Sequence, residues 1–283
     1  MSFESLEQSF YTGDYKAVIE TDLEAIADPE ENFKAQLLHA RARIADGKAK
    51  EVSAALTSSN DSVWALVKVY ADSVATGVDG TDKAVDIVES DRDNNYVKLL
   101  GGLIFARAGE LEKALALLKT HESSLECVLL TVQILLMQGR VEEAVVLVNE
   151  TRKWANDHLL YNLAEAWTCL FQNKEQVQKT YYIFEELSGS HPTARTYLGE
   201  TIAQLKLLRF PEASESLRQA VALSPDSDDV LATNIALALI QNEDAQEFRD
   251  NLGKTSLPAN ALREKSELFD RVVQKYQSQM PRA

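Results

Sequence analysis

The stretch LECVLLTVQILLMQGRVEEAVVLV, residues 125–148, decides the fold of this chain. Within residues 128–137 only Thr131 and Gln133 have polar side chains. Ten residues are too few to cross a membrane, because a spanning helix needs about 20 apolar residues. Apolar residues then resume beyond Gly139 at helical spacing, which predicts two short helices joined by a tight turn. The first helix is apolar on most sides and therefore needs neighbours on most sides.

The neighbours are further copies of the same unit. Residues 109–114 and 139–144 share the form Gly-x-aliphatic-x-x-Ala. Looser copies begin at Gly13 and Gly47, and a later copy has Leu208 where the glycine is expected. The glycine permits the left-handed backbone of a tight turn, and the alanine is expected where two helices cross closely.

The spacing of these copies identifies the repeat class. The small residues at the crossings are Ala114, Ala144, Thr180 and Ala213, at intervals of 30, 36 and 33 residues. A period near 34 with such small residues is typical of tetratricopeptide repeats. One amphipathic helix pair cannot close a core alone, so successive pairs stack and share one. The fixed offsets predict an all-α, tetratricopeptide-repeat-like α-solenoid rather than a compact helical bundle.

The pattern predicts about eight helix pairs followed by a last helix. The pairs are expected at residues 3–27, 32–57, 62–90, 96–121, 125–155, 158–188, 194–223 and 228–252. A C-terminal helix at 259–277 is expected to cap the stack. We expect residues 1–283 to form a single solenoid domain, with loops near 57–62 and 76–82.

Composition and charge exclude several classes of function. The 283 residues carry a formal charge of −15, so direct binding to nucleic acid or to anionic lipid is not expected. The first residues lack the basic start and apolar stretch of a secretory leader. Cys127 and Cys169 lie in helical segments and are expected to be buried thiols, as in a reducing cytosolic compartment.

No cluster of residues predicts chemistry. The four histidines, expected on helix surfaces, are His39, His121, His158 and His191. Gly101 and Gly102 lie inside a helix, where they favour close packing, and no phosphate-binding glycine loop is present. The acidic residues at 91–93 and 226–229 are expected at helix starts, where they complement the helix dipole. We therefore expect no catalytic residue, no metal site and no cofactor.

The remaining function is binding through the inner wall of the solenoid. Positions 5, 9, 12 and 13 of each repeat face inward in such folds, and here they are mostly aliphatic. The predicted partner-binding residues are Leu99, Leu103, Arg107, Leu129, Gln133, Leu136, Met137, Leu198, Ile202, Leu205 and Leu239. No repeat has the lysine and asparagine pair that clamps a terminal carboxylate, so an apolar partner segment is expected over a large interface. Packing within the solenoid is the alternative for each of these residues.

Several stretches resemble one family over essentially the whole chain. They are Phe-Tyr-x-Gly-x-Tyr at 10–15, Leu-Glu-Cys at 125–127 with Thr-Val-Gln-Ile-Leu at 131–135, Tyr-Tyr-Ile-Phe at 181–184, and Phe-Asp-Arg-Val-Val-x-x-Tyr at 269–276. Together they resemble the epsilon subunit of coatomer. The Leu-Glu-Cys and Tyr-Tyr-Ile-Phe stretches are more specific to that family than to tetratricopeptide proteins at large.

The resemblance implies a non-enzymatic subunit of the COPI vesicle coat, in Golgi-to-ER retrograde and intra-Golgi transport. It implies a cytosolic complex that a small GTPase recruits to Golgi membranes, so membrane contact occurs only through the coat. The implied direct partner is the C-terminal domain of the alpha subunit (alpha-COP), and the other subunits are contacted indirectly. The alternative function is a free-standing adaptor that binds client peptides reversibly.

Overall fold

A computed structural model describes residues 2–56, 61–254 and 256–277. These residues form helices and no strand. The helices are α1 (Phe3–Thr12), α2 (Tyr15–Glu20), α3 (Pro29–Ala45), α4 (Ala49–Ala55), α5 (Ser62–Thr76), α6 (Thr81–Ser90), α7 (Asn95–Arg107), α8 (Leu111–Leu118), α9 (Leu125–Met137), α10 (Val141–Ala155), α11 (Leu159–Cys169), α12 (Lys174–Ser190), α13 (Ala194–Lys206), α14 (Phe210–Leu223), α15 (Asp228–Gln241), α16 (Gln246–Asn251) and α17 (Leu257–Gln277). A short 3₁₀ turn, Leu23–Ala25, follows α2.

The predicted all-α solenoid of helix pairs is confirmed. Helices α9 and α10 occupy the predicted 125–155, and α13 and α14 occupy 194–223. Helix α3 begins earlier than predicted, because Asp28 accepts hydrogen bonds from the backbone N–H groups of residues 30 and 31 and a proline follows it. The predicted loop at 76–82 lies between α5 and α6, whereas residues 57–60 of the other loop lie outside the described residues.

The small residues lie where the repeat predicts close helix crossings. Ala114, Ala144 and Ala213 are completely buried. Thr180 is also completely buried, and its Oγ1 donates a 2.8 Å hydrogen bond to the carbonyl oxygen of Ala166 on α11. A threonine replaces the alanine here because its hydroxyl finds an acceptor on the neighbouring helix.

The turns between paired helices use the left-handed backbone conformation. Gly109 and Gly139 have φ of +84° and +73° at the ends of α7 and α9. Leu208 takes the equivalent place after α13 with φ of +61°, and its side chain is 72% exposed. A left-handed conformation costs a residue with a side chain roughly 1–2 kcal/mol, so this turn is strained where the glycine is missing.

Two glycines inside α7 allow neighbouring helices to approach closely. A Cβ atom on Gly101 would lie 2.7 Å from Val88 Cγ2, and one on Gly102 would lie 2.8 Å from Leu118 Cδ2. Neither distance is compatible with a side chain, so the close-packing role predicted from the sequence is confirmed.

The helices group into two compact units, residues 1–187 and 188–283. The first unit has one extended hydrophobic core that runs from Leu6 on α1 to Phe184 on α12. The second unit has two smaller clusters, one around Leu217 and one around Ile235. A single uninterrupted domain over residues 1–283 stays a prediction.

Helix α17 lies where the C-terminal helix was predicted, but little of it is covered. Ala259 in its first turn packs against the cluster formed by α15 and α16. No residue of α17 is buried, and Phe269 and Tyr276 are 67% and 58% exposed. The apolar side chains of α17 are mostly exposed within the described part of the chain, so its role as a capping helix stays a prediction.

Candidate functional site

The predicted partner-binding residues fall into three groups by exposure. The buried residues are Leu99, Leu129 and Leu198, and the half-buried ones are Leu103, Leu136 and Leu205. The exposed residues are Arg107, Gln133, Met137, Ile202 and Leu239. Among the exposed apolar members, Met137 in the first unit is 70% exposed, and Ile202 and Leu239 in the second unit are 37% and 49% exposed. Their role in binding stays a prediction.

The buried group corrects the expectation from sequence. Leu99, Leu129 and Leu198 pack within hydrophobic clusters of the chain and are 2%, 6% and 8% exposed. Each belongs to position 5 of its repeat, near the start of the first helix, where adjacent repeats pack against each other. These three leucines stabilise the solenoid and leave little surface for a partner.

A second candidate site is a cavity of about 590 Å³ in the first unit, called here the charged cavity. Helices α1 and α3 supply one part of its lining, and the starts of α7, α9 and α11 supply another. Its lining residues include Phe3, Glu7, Glu30, Lys34, Leu37, Leu38, Arg41, Asn94, Asn95, Tyr96, Glu126, Trp154, His158 and Leu160. None of the eleven predicted partner-binding residues lines it.

A buried ion pair joins the two sides of the charged cavity. Arg41 Nη1 on α3 lies 2.6 Å from Glu126 Oε1 on α9, with side chains only 10% and 19% exposed. The Tyr11 hydroxyl on α1 donates a hydrogen bond to the same carboxylate oxygen. Arg41 also lies over the Phe10 ring, 4.8 Å from its centroid. Burial, and then the charge of Glu126, raises the pKa of Tyr11 well above its usual value, so the phenol stays protonated and donates.

Glu7 on α1 is the carboxylate of this cavity that has no arginine or lysine within ion-pair distance among the described residues. Its Oε2 lies 3.5 Å from His158 Nε2, at the start of α11. Burial, and then repulsion by Glu126, raises the pKa of Glu7 from 4.5 to about 7. Burial lowers the pKa of His158, so at neutral pH its ring is a neutral donor rather than a cation.

The other cations of the cavity are already engaged by carboxylates. Lys34 Nζ lies 2.5 Å from Glu30 Oε1, one turn earlier on α3. Arg41 is engaged by Glu126. The cavity therefore presents one carboxylate, Glu7, that has no arginine or lysine as its ion-pair partner within the described ranges.

This cavity was not predicted from the sequence. Arg41 and Glu126 are separated by 85 residues, and 29 basic and 44 acidic residues offer too many pairs to choose among by charge alone. The available signal was Glu126, the one charged residue of α9, because a charge in an otherwise apolar helix is rarely buried unless it is paired.

The histidines, carboxylates and cysteines of the described residues are the groups that a metal site or a reactive thiol would require. Among the described residues no group of three His, Cys, Asp or Glu side chains could hold a metal ion. Cys127 and Cys169 are buried as predicted, and burial raises the pKa of each thiol to about 11. At neutral pH both sulfurs are protonated and therefore poor nucleophiles.

Two placements differ from those expected from sequence. Asp91 ends α6 instead of starting a helix, and its carboxylate accepts hydrogen bonds from Ser62 and Asn94. His158 is the N-cap of α11, where its Nδ1 accepts a 3.2 Å hydrogen bond from the backbone N–H of Leu160. Asp228 and Asp229 do lie in the first turn of α15, as predicted for acidic residues at a helix start.

A groove in the first unit is also partly apolar. It has a volume of about 610 Å³ and is lined by Lys119 and His121, which follow α8, and by residues of α9 and α10. Trp154 lines both this groove and the charged cavity. Val146 and Trp154 on α10 contribute exposed apolar surface, at 57% and 47%.

No helix among the described residues is long and apolar enough to cross a membrane.

Comparison with protein families gives a match over nearly the whole chain. A family model described as "Coatomer epsilon subunit" matches residues 3–277. A "Probable coatomer subunit epsilon" of Schizosaccharomyces pombe is 26% identical over 94% of this chain and 92% of its own length. "Coatomer subunit epsilon-2" of Arabidopsis thaliana is 25% identical over 95% of both chains. The "Coatomer subunit epsilon" of Saccharomyces cerevisiae is 23% identical over 98% of this chain and 99% of its own length.

Comparison with solved structures supports the repeat class. A chain in the crystal structure of the APC/C hetero-tetramer Cut9–Hcn1 superposes with a TM-score of 0.61 at 15% identity. That match covers 81% of this chain and 48% of the other. A tetratricopeptide repeat protein from Parabacteroides merdae gives a TM-score of 0.57 at 12% identity, over 76% of this chain and 89% of the other. These likenesses show the fold alone.

Proposed function

This chain belongs to the coatomer epsilon-subunit family, and from that premise we propose that it is a structural, non-enzymatic subunit of the COPI vesicle coat. The observation that carries the proposal is the family match over residues 3–277, which covers every predicted repeat and α17.

The proposed direct partner is the C-terminal domain of alpha-COP, the alpha subunit of the coat. The exposed apolar side chains Met137, Ile202 and Leu239 support this proposal, because burying such surface favours a stable complex. Arg107 is exposed on α7, which also carries the half-buried Leu103, and Gln133 is exposed on α9, which also carries the half-buried Leu136. In the proposed complex these two polar side chains supply polar contacts at the edge of the interface. The other coat subunits are contacted through alpha-COP.

The proposed location is the cytoplasm, with peripheral association on Golgi membranes and COPI vesicles through the coat. The proposed process is Golgi-to-ER retrograde and intra-Golgi transport. Cell fractionation tests the location, since the chain should move from membrane to cytosol when the recruiting GTPase is held in its GDP state. A membrane fraction that is unchanged by that treatment would contradict recruitment through the coat.

Affinity purification of the full chain from cytosol tests the proposal against its alternative. A coat subunit should recover one large complex with fixed stoichiometry, including alpha-COP. A free-standing tetratricopeptide adaptor, which the fold alone also permits, should recover several clients at low occupancy. Recovery of the second kind would overturn the coat assignment.

A further inference from the structure

We propose that the charged cavity is a binding site for a basic side chain, lysine or arginine, presented by a peptide segment of a protein partner, with the Glu7 carboxylate as its ion-pair partner. The inference rests on the proposed function only for the source of that segment, which would be another protein of the coat. The site itself follows from the residues of the cavity.

The distribution of charge favours a cationic occupant. The two resident cations, Lys34 and Arg41, are held by Glu30 at 2.5 Å and Glu126 at 2.6 Å. Glu7 is left with the His158 ring at 3.5 Å. Because His158 Nδ1 accepts from the backbone N–H of Leu160, the neutral ring carries its proton on Nε2, towards Glu7. An incoming ammonium or guanidinium would give Glu7 the positive partner that residues 2–56, 61–254 and 256–277 do not supply.

The shape and polarity of the wall suit a long basic side chain. The volume of about 590 Å³ lies within the range of roughly 300–1,000 Å³ typical of ligand sites. Phe3, which is half-buried, lines the cavity, and the hydrocarbon stem of a lysine or arginine packs on such an apolar surface. Trp154 lines the cavity while 47% exposed, and the face of an indole ring attracts a cation.

Other occupants fit the cavity less well. An acidic side chain would meet Glu7, Glu30 and Glu126, whereas the two resident cations are already paired. No group of three potential metal ligands exists among the described residues, which disfavours a metal cation. A basic organic group is the occupant that fits both the charge and the apolar walls.

Binding of a cation should release a proton, because it favours the ionised form of Glu7. The charged and titratable groups around Glu7 are Glu4 on α1, Glu30, Lys34 and Arg41 on α3, Tyr96 on α7, Glu126 on α9 and His158 at the start of α11. With a pKa of about 7, Glu7 is mostly ionised at pH 8 and mostly protonated at pH 6. Affinity for a permanently charged probe should therefore be roughly tenfold lower at pH 6 than at pH 8.

The test uses small probes on the full chain. Nα-acetyl-lysinamide is the cationic probe, and Nα-acetyl-norleucinamide is its uncharged match. The readout is the indole N–H signal of Trp154 in a ¹H–¹⁵N spectrum, which contains three tryptophan signals and can be assigned with Trp154→Phe. The lysine probe should shift this signal saturably, and the norleucine probe should not. Equal shifts with the two probes would overturn the proposal.

Matched variants assign the effect to Glu7. Glu7→Gln removes the charge and should weaken the lysine probe roughly 10- to 100-fold, as expected for a hydrogen bond to a charged group. Glu20→Gln removes the same charge at an exposed position at the end of α2, outside the cavity lining, and should leave the affinity unchanged. Glu7→Ala, checked by circular dichroism, should match Glu7→Gln. Unchanged affinity in both Glu7 variants would contradict the assignment.

A second arm separates this inference from the proposed function. The C-terminal domain of alpha-COP is titrated against wild-type chain and Glu7→Gln. If it binds both equally while the lysine probe still requires Glu7, the cavity stands but takes its basic residue from another partner. If neither the domain nor the probe depends on Glu7, the inference fails while the proposed function remains. If the domain does not bind the wild type at all, the proposed function fails independently of the probe result.

Discussion

Replacing Glu126 by glutamine should destabilise the first unit, because the change leaves the buried guanidinium of Arg41 without its counter-charge. The Arg41 side chain is 10% exposed and lies 2.6 Å from Glu126. Removing one partner of a buried ion pair typically costs about 3–5 kcal/mol. Glu126 borders the charged cavity and is 19% exposed, so we expect about 2–3 kcal/mol. The Phe10 ring, 4.8 Å from Arg41, and the remaining glutamine carbonyl offset part of the loss.

Urea unfolding followed by tryptophan fluorescence measures this effect directly. All three tryptophans, Trp64, Trp154 and Trp167, belong to residues 1–187, so the signal reports the first unit alone. The matched control is the double variant Arg41→Met with Glu126→Leu, which replaces the pair by apolar side chains of similar size. Its stability should lie within about 1 kcal/mol of the wild type. A change below about 0.5 kcal/mol for Glu126→Gln, the usual range for surface substitutions, would refute the reasoning.

Three further stability changes follow from single positions. Leu208→Gly should raise the free energy of unfolding of the second unit by about 0.5–1 kcal/mol, measured by urea titration followed by circular dichroism, because it relieves the left-handed strain at φ of +61°. Gly102→Ala should lower the stability of the first unit by about 1–2 kcal/mol in urea titrations, because its Cβ would lie 2.8 Å from Leu118 Cδ2. Gly189→Ala, at a helical glycine of the second unit in open space, should not lower the stability of that unit. Glu7→Gln should raise stability at pH 8 by about 1–2 kcal/mol and leave it nearly unchanged at pH 4, in urea titrations at the two pH values. The folded pKa of about 7 exceeds the ordinary 4.5, so the stability that is fully present below the ordinary value is lost as pH rises through the folded one. Water at the cavity mouth reduces the full effect.

The helix pairs could be predicted from sequence because their determinants are local. The glycine at the turn and the alanine at the crossing recur at fixed offsets, and Gly139 and Ala144 are found in the conformation and burial that those offsets imply. Two positions depart from the repeat pattern. Leu208 replaces the turn glycine and adopts a strained left-handed backbone, and Thr180 replaces the alanine and donates a hydrogen bond to the neighbouring helix.

The exposure of the wall could be predicted only in part. Sequence periodicity places Leu99, Leu129 and Leu198 on the same helical face as their exposed neighbours. The burial of these three side chains, however, depends on the rotation of each repeat relative to the next. This rotation cannot be predicted from the local sequence pattern. The charged cavity could not be predicted from the sequence for a related reason. Its ion pair joins helices that are distant in the chain, and the spacing of apolar residues within a helix does not determine which helices contact each other.

The central proposal is that the exposed apolar side chains predicted for the inner wall, Met137, Ile202 and Leu239, bind the C-terminal domain of alpha-COP. Calorimetric titration of that domain with the full-length chain tests this proposal most directly. The test variant is Met137→Asp with Ile202→Asp, chosen because both side chains are exposed, whereas Leu136 also packs against the core. The matched control is Val146→Asp with Leu223→Asp, which makes the same changes at exposed positions outside the wall.

The wild type and the control should each form a stoichiometric complex with the domain. The test variant should bind at least roughly 100-fold more weakly, because an unpaired carboxylate in an apolar interface costs several kcal/mol. Circular dichroism should show unchanged helix content in all three proteins. Equal affinity of the test variant and the wild type would contradict the claim, as would a wild-type chain that does not bind the domain.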